Sequence, residues 1–494
     1  MRARASDPRR RLRLPGKALP ARAPVPRSRG MMNALLIFGA TGDLTSRYLL
    51  PALGGLEQED ALGDLRIVGT GRKALSEQAF RKQARASLDA FASDLPGHAV
   101  DALLKRLTYV QSDFEDPGTV EEALKATPGP VGVYLGLPAG VFEQALQVLG
   151  DVGLPEGSRV ALEKPFGNDL KSAESLHAHV RRWQERSGPE SIYLVDFLLG
   201  MRPVRRLLAM RGRDPVLSRL WNGRFIERVE LRWEETLGLE GRASFFDSTG
   251  ALKDVVQNHV LELLAHVAME LPDDPEHGPS LKAARRSLLE SLRPFDPADL
   301  GRSVRRARYT AGTLRTPEGR EGKKVPDYAD EEGVDPERGT ETFTTLSFRI
   351  DTPRWEGVQF SIRAGKAVAH MRKDLCLHFR PAEGQEGRGA PRCQLAIGID
   401  GPCGVQWTLA SSDERTSELH PLTLAATPPP AKLTAYAHVL RDFLCGGHTL
   451  SVDPREALAA WRWLQPVLDA WGEGRAPLDT YEAGSEGPPG MLEQ

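Results

Sequence analysis

Cysteine is scarce in this sequence, and its spacing argues against two common uses of the residue. The chain has 494 residues but only four cysteines, all in its last quarter. They form no C-x-x-C and no cysteine–histidine pattern typical of metal ligands, so neither a disulfide framework nor a metal site is predicted. We expect reduced thiols in a cytoplasmic protein. The residues are Cys376, Cys393, Cys403 and Cys445.

Long apolar runs and a surplus of one charge sign are also missing. No stretch reaches the roughly 20 apolar residues that an α-helix needs to cross a bilayer, so no membrane span is expected. The formal net charge of -2 gives no general attraction to nucleic acid or to anionic lipid. At 494 residues the chain is too long for one core, and we expect two folded domains.

The start of the chain lacks both apolar segments and balancing acids. Arginine and proline dominate residues 1–31, which are therefore expected to be disordered. The apolar centre of a secretory signal is missing, although the basic composition loosely resembles a transit peptide. Because Met31 and Met32 stand directly before the first predicted strand, we interpret the tail as a misassigned start or a dispensable arm.

What the sequence does contain begins with a glycine turn. The apolar run Ala34–Phe38 breaks into Gly39 and Gly42 and continues as a helical pattern. Strand, glycine turn and helix in this order suit a dinucleotide pyrophosphate, because glycine lets the backbone approach phosphate and the helix start offers unpaired N–H groups. The turn is a G-x-x-G variant of the three-glycine fingerprint, so a purely structural turn is the alternative. Its other members are Thr41, Asp43 and Leu44.

The second predicted strand, residues 65–69, lacks the acid that usually holds the ribose hydroxyl in NAD-binding folds. Arg72 and Lys73 follow it instead. Two cations cannot accept a proton from that hydroxyl, but they can bind a 2'-phosphate. The sequence therefore favours NADP over NAD, with a solvated basic turn as the alternative.

Two later strand ends point toward the same crevice. Buried-strand runs end at Leu137 and Leu162, shortly before Pro138 and Lys164. Ligands of an open parallel sheet lie beyond the carboxyl ends of its strands, so these residues are expected to face the cofactor. Lys164 is a candidate ligand for cofactor and substrate alike, or a surface charge only.

The stretch DVVQNH, residues 254–259, opens a predicted helix in the middle of the chain. It places the carboxylate of Asp254, the amide of Asn258 and the imidazole of His259 on an otherwise apolar helix. Burying such groups costs free energy unless each finds a partner, and a site for a polar ligand supplies partners. A satisfied core histidine is the alternative. Another carboxylate, Asp196, ends a predicted strand.

From about Phe225 onward the pattern changes to alternating strands with short turns, which predicts one large antiparallel sheet. Residues 302–341 are rich in charge, glycine and proline, and we expect an extended excursion there rather than a core element. A last helix is predicted at residues 454–471, followed by a glycine-rich end. The strands are predicted at residues 229–235, 343–350, 358–362, 375–379 and 394–399.

The motifs follow one another in a specific order along the chain. They are GATGDL at 39–44, GTGRK at 69–73, EKPFG at 163–167, DVVQNH at 254–259, IRAGK at 362–366 and YEAGSEGP at 481–488. This order resembles the glucose-6-phosphate dehydrogenase family over residues 34–488. The resemblance implies an α/β Rossmann-type NADP-binding domain at 32–200 with a doubly wound parallel sheet. An α+β substrate-binding and oligomerisation domain built on the antiparallel sheet is expected at 201–494.

The resemblance also implies the chemistry. His259 would be the general base that takes the proton from the C1 hydroxyl of glucose 6-phosphate as hydride leaves C1 for the nicotinamide, and Asp196 would orient its ring. The product would be 6-phosphogluconolactone, at the entry of the pentose phosphate pathway. The implied substrate ligands are Lys164, Glu235, Asp254 and Lys366, and the implied NADP ligands are Gly39, Thr41, Gly42, Asp43, Leu44, Arg72 and Lys164.

The chain departs from the family at the sugar phosphate. The family strand reads R-I-D-H-Y-L-G-K-E, in which His, Tyr and Lys hold the phosphate, but residues 194–202 read L-V-D-F-L-L-G-M-R. Phe197, Leu198 and Met201 therefore replace all three ligands, and Met371 replaces a further basic residue. A phosphate loses its hydration in such surroundings unless other cations replace it. Arg202, Arg205 and Arg372 are the nearby candidates.

Three interpretations follow. The first is an NADP-dependent dehydrogenase for glucose 6-phosphate or a close relative. The second keeps the acid–base pair but changes the sugar, and the third is a non-catalytic paralogue that binds nucleotide and regulates or assembles with a true dehydrogenase. By resemblance, a homodimer or homotetramer is expected. No nucleic-acid or membrane partner is expected.

Overall fold

The computed structural model describes residues 31–314, 322–381, 392–400, 404–412 and 419–491. The expected disorder of residues 1–30 and the expected free thiol of Cys403 lie outside these ranges. The strands in chain order are β1 Ala34–Phe38, β2 Arg66–Gly71, β3 Leu107–Gln111, β4 Val131–Leu135, β5 Arg159–Glu163, β6 Ile192–Val195, β7 Ile226–Glu234, β8 Val304–Thr310, β9 Gly312–Leu314, β10 Lys323–Val325, β11 Phe343–Phe348, β12 Gln359–Gly365, β13 Arg372–Phe379, β14 Gln394–Asp400, β15 Val405–Ser412, β16 Leu419–Ala426, β17 Ser451–Val452 and β18 Leu478–Glu482.

Helices alternate with the first six strands and then recur in the second half. The α-helices are α1 Leu50–Gln58, α2 Glu77–Phe91, α3 Gly97–Arg106, α4 Pro117–Lys125, α5 Phe142–Val152, α6 Leu170–Ser187, α7 Arg202–Arg213, α8 Leu217–Leu220, α9 Ala243–Ala251, α10 Leu261–Ala268, α11 Gly278–Glu290, α12 Leu300–Ser303, α13 Ala435–Leu444 and α14 Pro454–Gly472. Two π-helical segments, Thr45–Leu49 and Leu252–Val260, precede α1 and α10. Short 3-10 turns lie at Ala139–Val141, Phe197–Gly200, Tyr328–Asp330, Pro336–Arg338 and Pro353–Trp355.

The first sheet is a doubly wound parallel sheet, as the sequence predicted. Its order is β17-β6-β5-β4-β1-β2-β3, and only β17 runs antiparallel to its neighbour. Every residue of β1, β4 and β5 is buried because helices cover both faces of the sheet. In this order the strands progress in opposite directions from β1, so the strand order reverses between β1 and β4 although the two strands are parallel. This architecture binds nucleotides at that point.

The last quarter of the chain returns to this first sheet. Strand β17 pairs with β6, and α13 packs over the sheet through Phe443, which fills the space above Gly132. A Cβ atom on Gly132 would lie 2.8 Å from the Phe443 ring. The segment that contains α13 and β17 thereby places Tyr436 at the carboxyl end of β6. There Tyr436 contacts Phe197 in the 3-10 turn that follows β6.

The second sheet has nine strands in the order β16-β15-β14-β13-β7-β12-β11-β8-β18. Most neighbours are antiparallel, as predicted, but β7–β12 and β8–β18 pair in parallel. Along β7 the apolar residues Val229, Leu231 and Trp233 alternate with polar ones, and the apolar face packs against the π-helical segment and α10. This packing places the DVVQNH stretch between the two sheets.

One prediction about this half is wrong. Residues 302–341 were expected to avoid the core, yet Val304–Thr310 forms β8 inside the second sheet, and Val304, Ala307 and Tyr309 are buried. The charge-rich composition concealed a strand in which buried apolar residues are interspersed with arginines. The side chains of Arg305, Arg306 and Arg308 are only partly buried. Residues 315–321 of this segment lie outside the described ranges.

Across the part of the chain that the structure describes, no helix combines the length and the apolar character required to cross a membrane.

Candidate active site

Asp196 and His259 meet between the two sheets. Asp196 follows the last residue of β6, and His259 lies near the end of the π-helical segment Leu252–Val260. His259 Nδ1 lies 2.7 Å from Oδ1 and 2.9 Å from Oδ2 of Asp196. The backbone N–H of Leu198 donates to the same Oδ1 at 2.9 Å. Only 1 % of Asp196 and 3 % of His259 are exposed, so this pair is a buried and fixed arrangement.

The electrostatics of the pair keep His259 neutral and Asp196 charged. Burial lowers the pKa of His259 below its ordinary value, and Lys164 adds to this effect, although Asp196 opposes it. Burial alone would raise the pKa of Asp196, but His259, Lys164 and the Leu198 N–H together bring it below its ordinary value. An ionised Asp196 accepts a hydrogen bond from Nδ1–H of His259, so Nε2 is the nitrogen with a lone pair for another proton. The pair can therefore work as a general base.

A buried carboxylate fixes the start of the helical segment that carries His259. Oε1 of Glu341 accepts a hydrogen bond from the backbone N–H of Leu252 at 2.9 Å. Gly250, just before this segment, has a φ of 69°, and a Cβ there would lie 2.5 Å from the same oxygen. Glycine is therefore required at this position, because the backbone conformation and the close carboxylate both exclude a side chain.

Aromatic rings surround the imidazole. The Phe197 ring meets His259 edge-on with centroids 4.6 Å apart, and the Trp233 ring stacks on it at 5.7 Å. Tyr436, from α13, stacks on Phe197 at 5.7 Å. These rings limit access of water and hold the imidazole in one orientation. Phe197 thus packs on the candidate base from the position at which the family pattern has a histidine.

Lys164 and Asp254 form a second polar pair beside the first. Lys164 Nζ donates to the backbone carbonyl of Asp254 at 3.1 Å and lies 3.9 Å from Oδ1 of its carboxylate. Both side chains are roughly three-quarters buried, with 25 % and 23 % of their surface exposed. Lys164 therefore connects the carboxyl end of β5 to the segment that carries His259.

Glu235 forms the third polar group and is held by two lysines. Its Oε2 lies 2.5 Å from Lys366 Nζ, and its Oε1 lies 3.0 Å from Lys373 Nζ. Burial alone would raise the pKa of Glu235, but the two ammonium groups outweigh it and lower the pKa to about 2. Lys373 Nζ also lies 4.9 Å from the Trp233 ring centroid, so this cluster adjoins the rings around His259.

The predicted dinucleotide turn adopts a conformation that suits a phosphate. Gly39 has a φ of 79°, and a Cβ there would lie 2.2 Å from the carbonyl oxygen of Gly136. The Gly42 N–H closes the turn on the Gly39 carbonyl at 2.9 Å, and the hydroxyl of Thr45 donates to the same oxygen at 3.0 Å. Thr41 and Asp43 are exposed. The tight glycine turn at the carboxyl end of β1 therefore allows a pyrophosphate to approach the backbone.

Arg72 and Lys73 lie beside this turn, at the end of β2. Both are exposed, while their backbone is fixed from β3. The Tyr109 hydroxyl donates to the Lys73 carbonyl at 2.7 Å, and the Gln111 amide donates to the Arg72 carbonyl at 2.9 Å. The two basic side chains thus project from a fixed backbone.

The family model "Glucose-6-phosphate dehydrogenase, NAD binding domain" matches residues 36–205, and the model of the C-terminal domain matches residues 208–493. The chain belongs to the glucose-6-phosphate dehydrogenase family. This confirms the resemblance inferred from the motifs. The protein is an oxidoreductase of this family, and its cofactor is a nicotinamide dinucleotide.

Individual members of the glucose-6-phosphate dehydrogenase family match over nearly the full length. "Glucose-6-phosphate 1-dehydrogenase" of Gluconobacter oxydans is 35 % identical over 477 residues, covering 92 % of this chain and 94 % of that protein. The protein of the same name from Mycolicibacterium smegmatis is 32 % identical over 475 residues, with 92 % and 94 % covered. The solved structure "Glucose-6-phosphate dehydrogenase in complex with its substrate glucose-6-phosphate" has a TM-score of 0.83 at 27 % identity, covering 94 % of this chain and 97 % of that one.

The three arginines considered as substitutes for the family's phosphate ligands are engaged elsewhere. Arg202 donates to the carbonyls of Pro429 and Pro430. Arg205 lies 2.9 Å from the ring of His438. Arg372 lies between Glu234 at 3.2 Å and Glu486 at 2.9 Å. Met371, at the further basic position of the family, is largely exposed.

Sequence reasoning missed three contributors to this site. Trp233 and Lys373 contact His259 and Glu235, and Glu341 fixes the start of the segment that carries His259, yet none of the three belongs to a motif. Alternation along β7 and β13 would have placed Trp233 and Lys373 on one face, because the two residues are register partners. No sequence signal marks Glu341.

Proposed function

We propose that this chain is an NADP-dependent glucose-6-phosphate 1-dehydrogenase that oxidises C1 of glucose 6-phosphate to the 1,5-lactone. The observation that carries the proposal is the buried Asp196–His259 pair, whose Nδ1 to Oδ1 distance is 2.7 Å. Family membership and the match to a substrate-bound relative over 94 % of this chain support the substrate. A non-catalytic paralogue would have no need for a complete acid–base pair.

His259 would accept the proton of the C1 hydroxyl on Nε2, since Asp196 engages Nδ1. The negative charge of Asp196 then stabilises the imidazolium that forms, at the same distances that fix the ring. When bound, the nicotinamide accepts the hydride from the same carbon. Glu235 and Asp254 would accept hydrogen bonds from sugar hydroxyls, and Lys164 and Lys366 would contact the substrate.

NADP is the preferred cofactor in this proposal. Gly39, Thr41, Gly42, Asp43 and Leu44 would hold the pyrophosphate end, and the tight approach of Gly39 to the Gly136 carbonyl supports this role. Arg72 is exposed at the end of β2, where a 2'-phosphate of a dinucleotide in this fold would lie. A guanidinium binds a phosphate bidentately, so Arg72 would select NADP over NAD.

We further propose that Lys373 replaces the missing phosphate ligands. Its ammonium group lies 3.0 Å from Glu235 and 3.3 Å from Asp400, and the Asp400 side chain is 48 % exposed. Because Asp400 is half exposed, water can solvate its carboxylate when a phosphate takes its place beside Lys373, so the exchange costs little. Arg372 could not do the same without weakening the charge compensation of Glu234, which is fully buried.

The decisive experiment crosses two cofactors with two sugars. Purified protein is assayed for reduced cofactor with NADP or NAD and with glucose 6-phosphate or glucose, each sugar at millimolar concentration. Turnover of glucose 6-phosphate with NADP, lost in His259→Asn, is expected. Absence of reduced cofactor with glucose 6-phosphate would contradict the proposed substrate, and equal rates with both sugars would favour the altered-sugar alternative suggested by Phe197 and Leu198.

The role of Lys373 has its own test. Lys373→Met should raise KM for glucose 6-phosphate by about 10- to 100-fold, the loss expected from one hydrogen bond between charged groups. The KM for glucose and kcat should change much less. Lys125→Met, a surface lysine on α4, is the control and should leave both sugars unaffected. Equal changes in KM for both sugars in Lys373→Met would show that the lysine acts through Glu235 and not on the phosphate.

We also propose a cytoplasmic homodimer or homotetramer. The support is membership of the glucose-6-phosphate dehydrogenase family. Light scattering of the purified protein tests the state of assembly, and a monomer at micromolar concentration would contradict it. Fractionation of the source cells tests the location.

A further inference from the structure

Three metal-binding side chains converge on the outer face of the second sheet, away from His259. Cys376 and His378 are two residues apart on β13 and therefore project from the same face. Glu230 on β7 is the register partner of Cys376. One donor atom from each of the three residues lies within 4.8 Å of the other two. The cluster thus joins two adjacent central strands of the sheet.

His378 needs a partner that the surrounding residues do not supply. Only 6 % of the residue is exposed, and neither ring nitrogen has a hydrogen bond of acceptable geometry among the described residues. Nε2 lies 3.2 Å from Oε2 of Glu230, which is close but poorly aligned for a hydrogen bond. Burying a polar ring without partners costs free energy, so a ligand at this position would relieve an existing deficit.

The surroundings leave room for an ion and supply a further donor. A cavity of about 200 Å³ opens beside the three residues, between β7, β13, β14 and β15. Gln394, across from His378 on β14, places Oε1 at 3.8 Å from the Cys376 sulfur. Its amide oxygen or a water molecule could complete a set of four donors.

The nearby arginines do not oppose a cation at this position. Arg232 is bound through two hydrogen bonds, of 2.7 and 2.9 Å, to the carboxylate of Asp374. Arg228 lies 3.1 Å from Oε1 of Glu230, so Oε2 is the oxygen that faces His378. Each guanidinium therefore already has a carboxylate partner, and Glu230 can bind Arg228 and an ion through different oxygens.

We propose that Glu230, Cys376 and His378 form a binding site for a borderline-soft divalent cation, with Zn²⁺ as the best fit. Thiolate, imidazole and carboxylate form the donor set of zinc, whereas Mg²⁺ and Ca²⁺ prefer oxygen donors alone. Zinc bonds of about 2.0–2.3 Å place tetrahedral donors roughly 3.3–3.8 Å apart. The donor atoms already lie within 4.8 Å of one another, so binding requires them to approach by about 1 Å. The bound ion would join β7 to β13 as a structural link, and the Cys376 thiol would release its proton on binding.

The test is metal binding by the full-length protein after treatment with a chelator and dialysis. Zn²⁺ and Co²⁺ are titrated separately, and Co²⁺ should give the absorption of a thiolate–cobalt bond at one equivalent per chain. Cys376→Ser and His378→Gln should each weaken binding by more than about 10-fold, the lower end of the losses caused by outer ligands alone. Cys445→Ser, a cysteine after α13, is the matched control and should bind as the parent protein does.

Thermal stability gives a readout that does not depend on dehydrogenase activity. Zn²⁺ should raise Tm of the parent protein and of Cys445→Ser but not of Cys376→Ser, because a ligand stabilises only the state that binds it. Glu230→Gln serves as an additional variant if one of the others fails to fold. Unchanged affinity in all site variants, or no thiolate absorption with Co²⁺, would overturn the proposal and identify any bound metal as adventitious.

Discussion

Replacing Asp196 with asparagine should abolish nearly all turnover through a change of tautomer. In the native pair, Oδ1 accepts from the Leu198 N–H at 2.9 Å, and both oxygens face Nδ1 of His259. The asparagine oxygen would remain on the Leu198 N–H, which needs an acceptor, and its NH₂ group would then face Nδ1. Nδ1 must become an acceptor, so the ring proton moves to Nε2. A base protonated on its reactive nitrogen cannot accept the proton of the C1 hydroxyl.

The expected loss in kcat is about 10⁴-fold, as for the same substitution in serine-protease triads. This corresponds to roughly 5.5 kcal/mol of transition-state stabilisation. Part of that loss is the wrong tautomer, and part is the missing negative charge beside the imidazolium. Because Asp196 contacts the ring and not the sugar, KM should change little.

The assay is steady-state formation of reduced cofactor, with circular dichroism to establish that the fold is intact. Asp247→Asn is the matched control, because Asp247 is also only 1 % exposed but its side chain binds Tyr328 and Arg338 rather than His259. It should lower Tm without a comparable loss in kcat. A loss in kcat of less than about tenfold in Asp196→Asn would refute the assignment of His259 as base. Such a loss would be far smaller than the one that the same substitution causes in serine-protease triads.

Three further predictions concern pH, cofactor choice and stability. Since burial lowers the pKa of His259 below 6.5, kcat/KM should remain level as pH falls through 6.5 and decline only at lower pH. Arg72→Ala should weaken NADP relative to NAD by about 10- to 100-fold in kcat/KM, since one charge-assisted contact is lost. Burial raises the pKa of Glu341 from 4.5 to about 7, so stability is lost as pH rises through that range. Glu341→Gln retains an acceptor for the Leu252 N–H and should remove this loss of stability, which amounts to at most about 3 kcal/mol of the free energy of unfolding. Measuring Tm of both proteins against pH tests this expectation.

The first sheet was predictable because its strands are buried on both faces. The apolar run before Gly39 indicated β1 with the observed bounds, and the runs ending at Leu137 and Leu162 gave the ends of β4 and β5 to within two residues. The failure at β8 has the opposite cause. Its three arginines are partly exposed at the sheet surface, so composition resembled that of a loop although the alternating positions are buried.

The candidate site was predictable only in part, because its pairs come from distant segments. Asp196 and His259 are 63 residues apart, and only the family resemblance linked them before the structure brought them together. Glu341 reaches Leu252 across 89 residues with no motif to announce it. The cluster of Glu230, Cys376 and His378 depends on strand register, which spacing along one chain segment does not reveal.

We expect the apolar replacements around His259 to be compatible with a phosphorylated substrate, because in this proposal Lys373 supplies the positive charge that the replaced residues lack. Phe197 occupies the position next to the imidazole and excludes water from it, while Lys366 and Lys373 supply two ammonium groups to the single carboxylate of Glu235. The low pKa of Glu235 reflects this surplus of positive charge. A phosphate entering between Lys373 and solvent would meet a cation whose other partner, Asp400, is half exposed and easily displaced. Binding of the phosphate is therefore expected to depend on Lys373 far more than on Arg372.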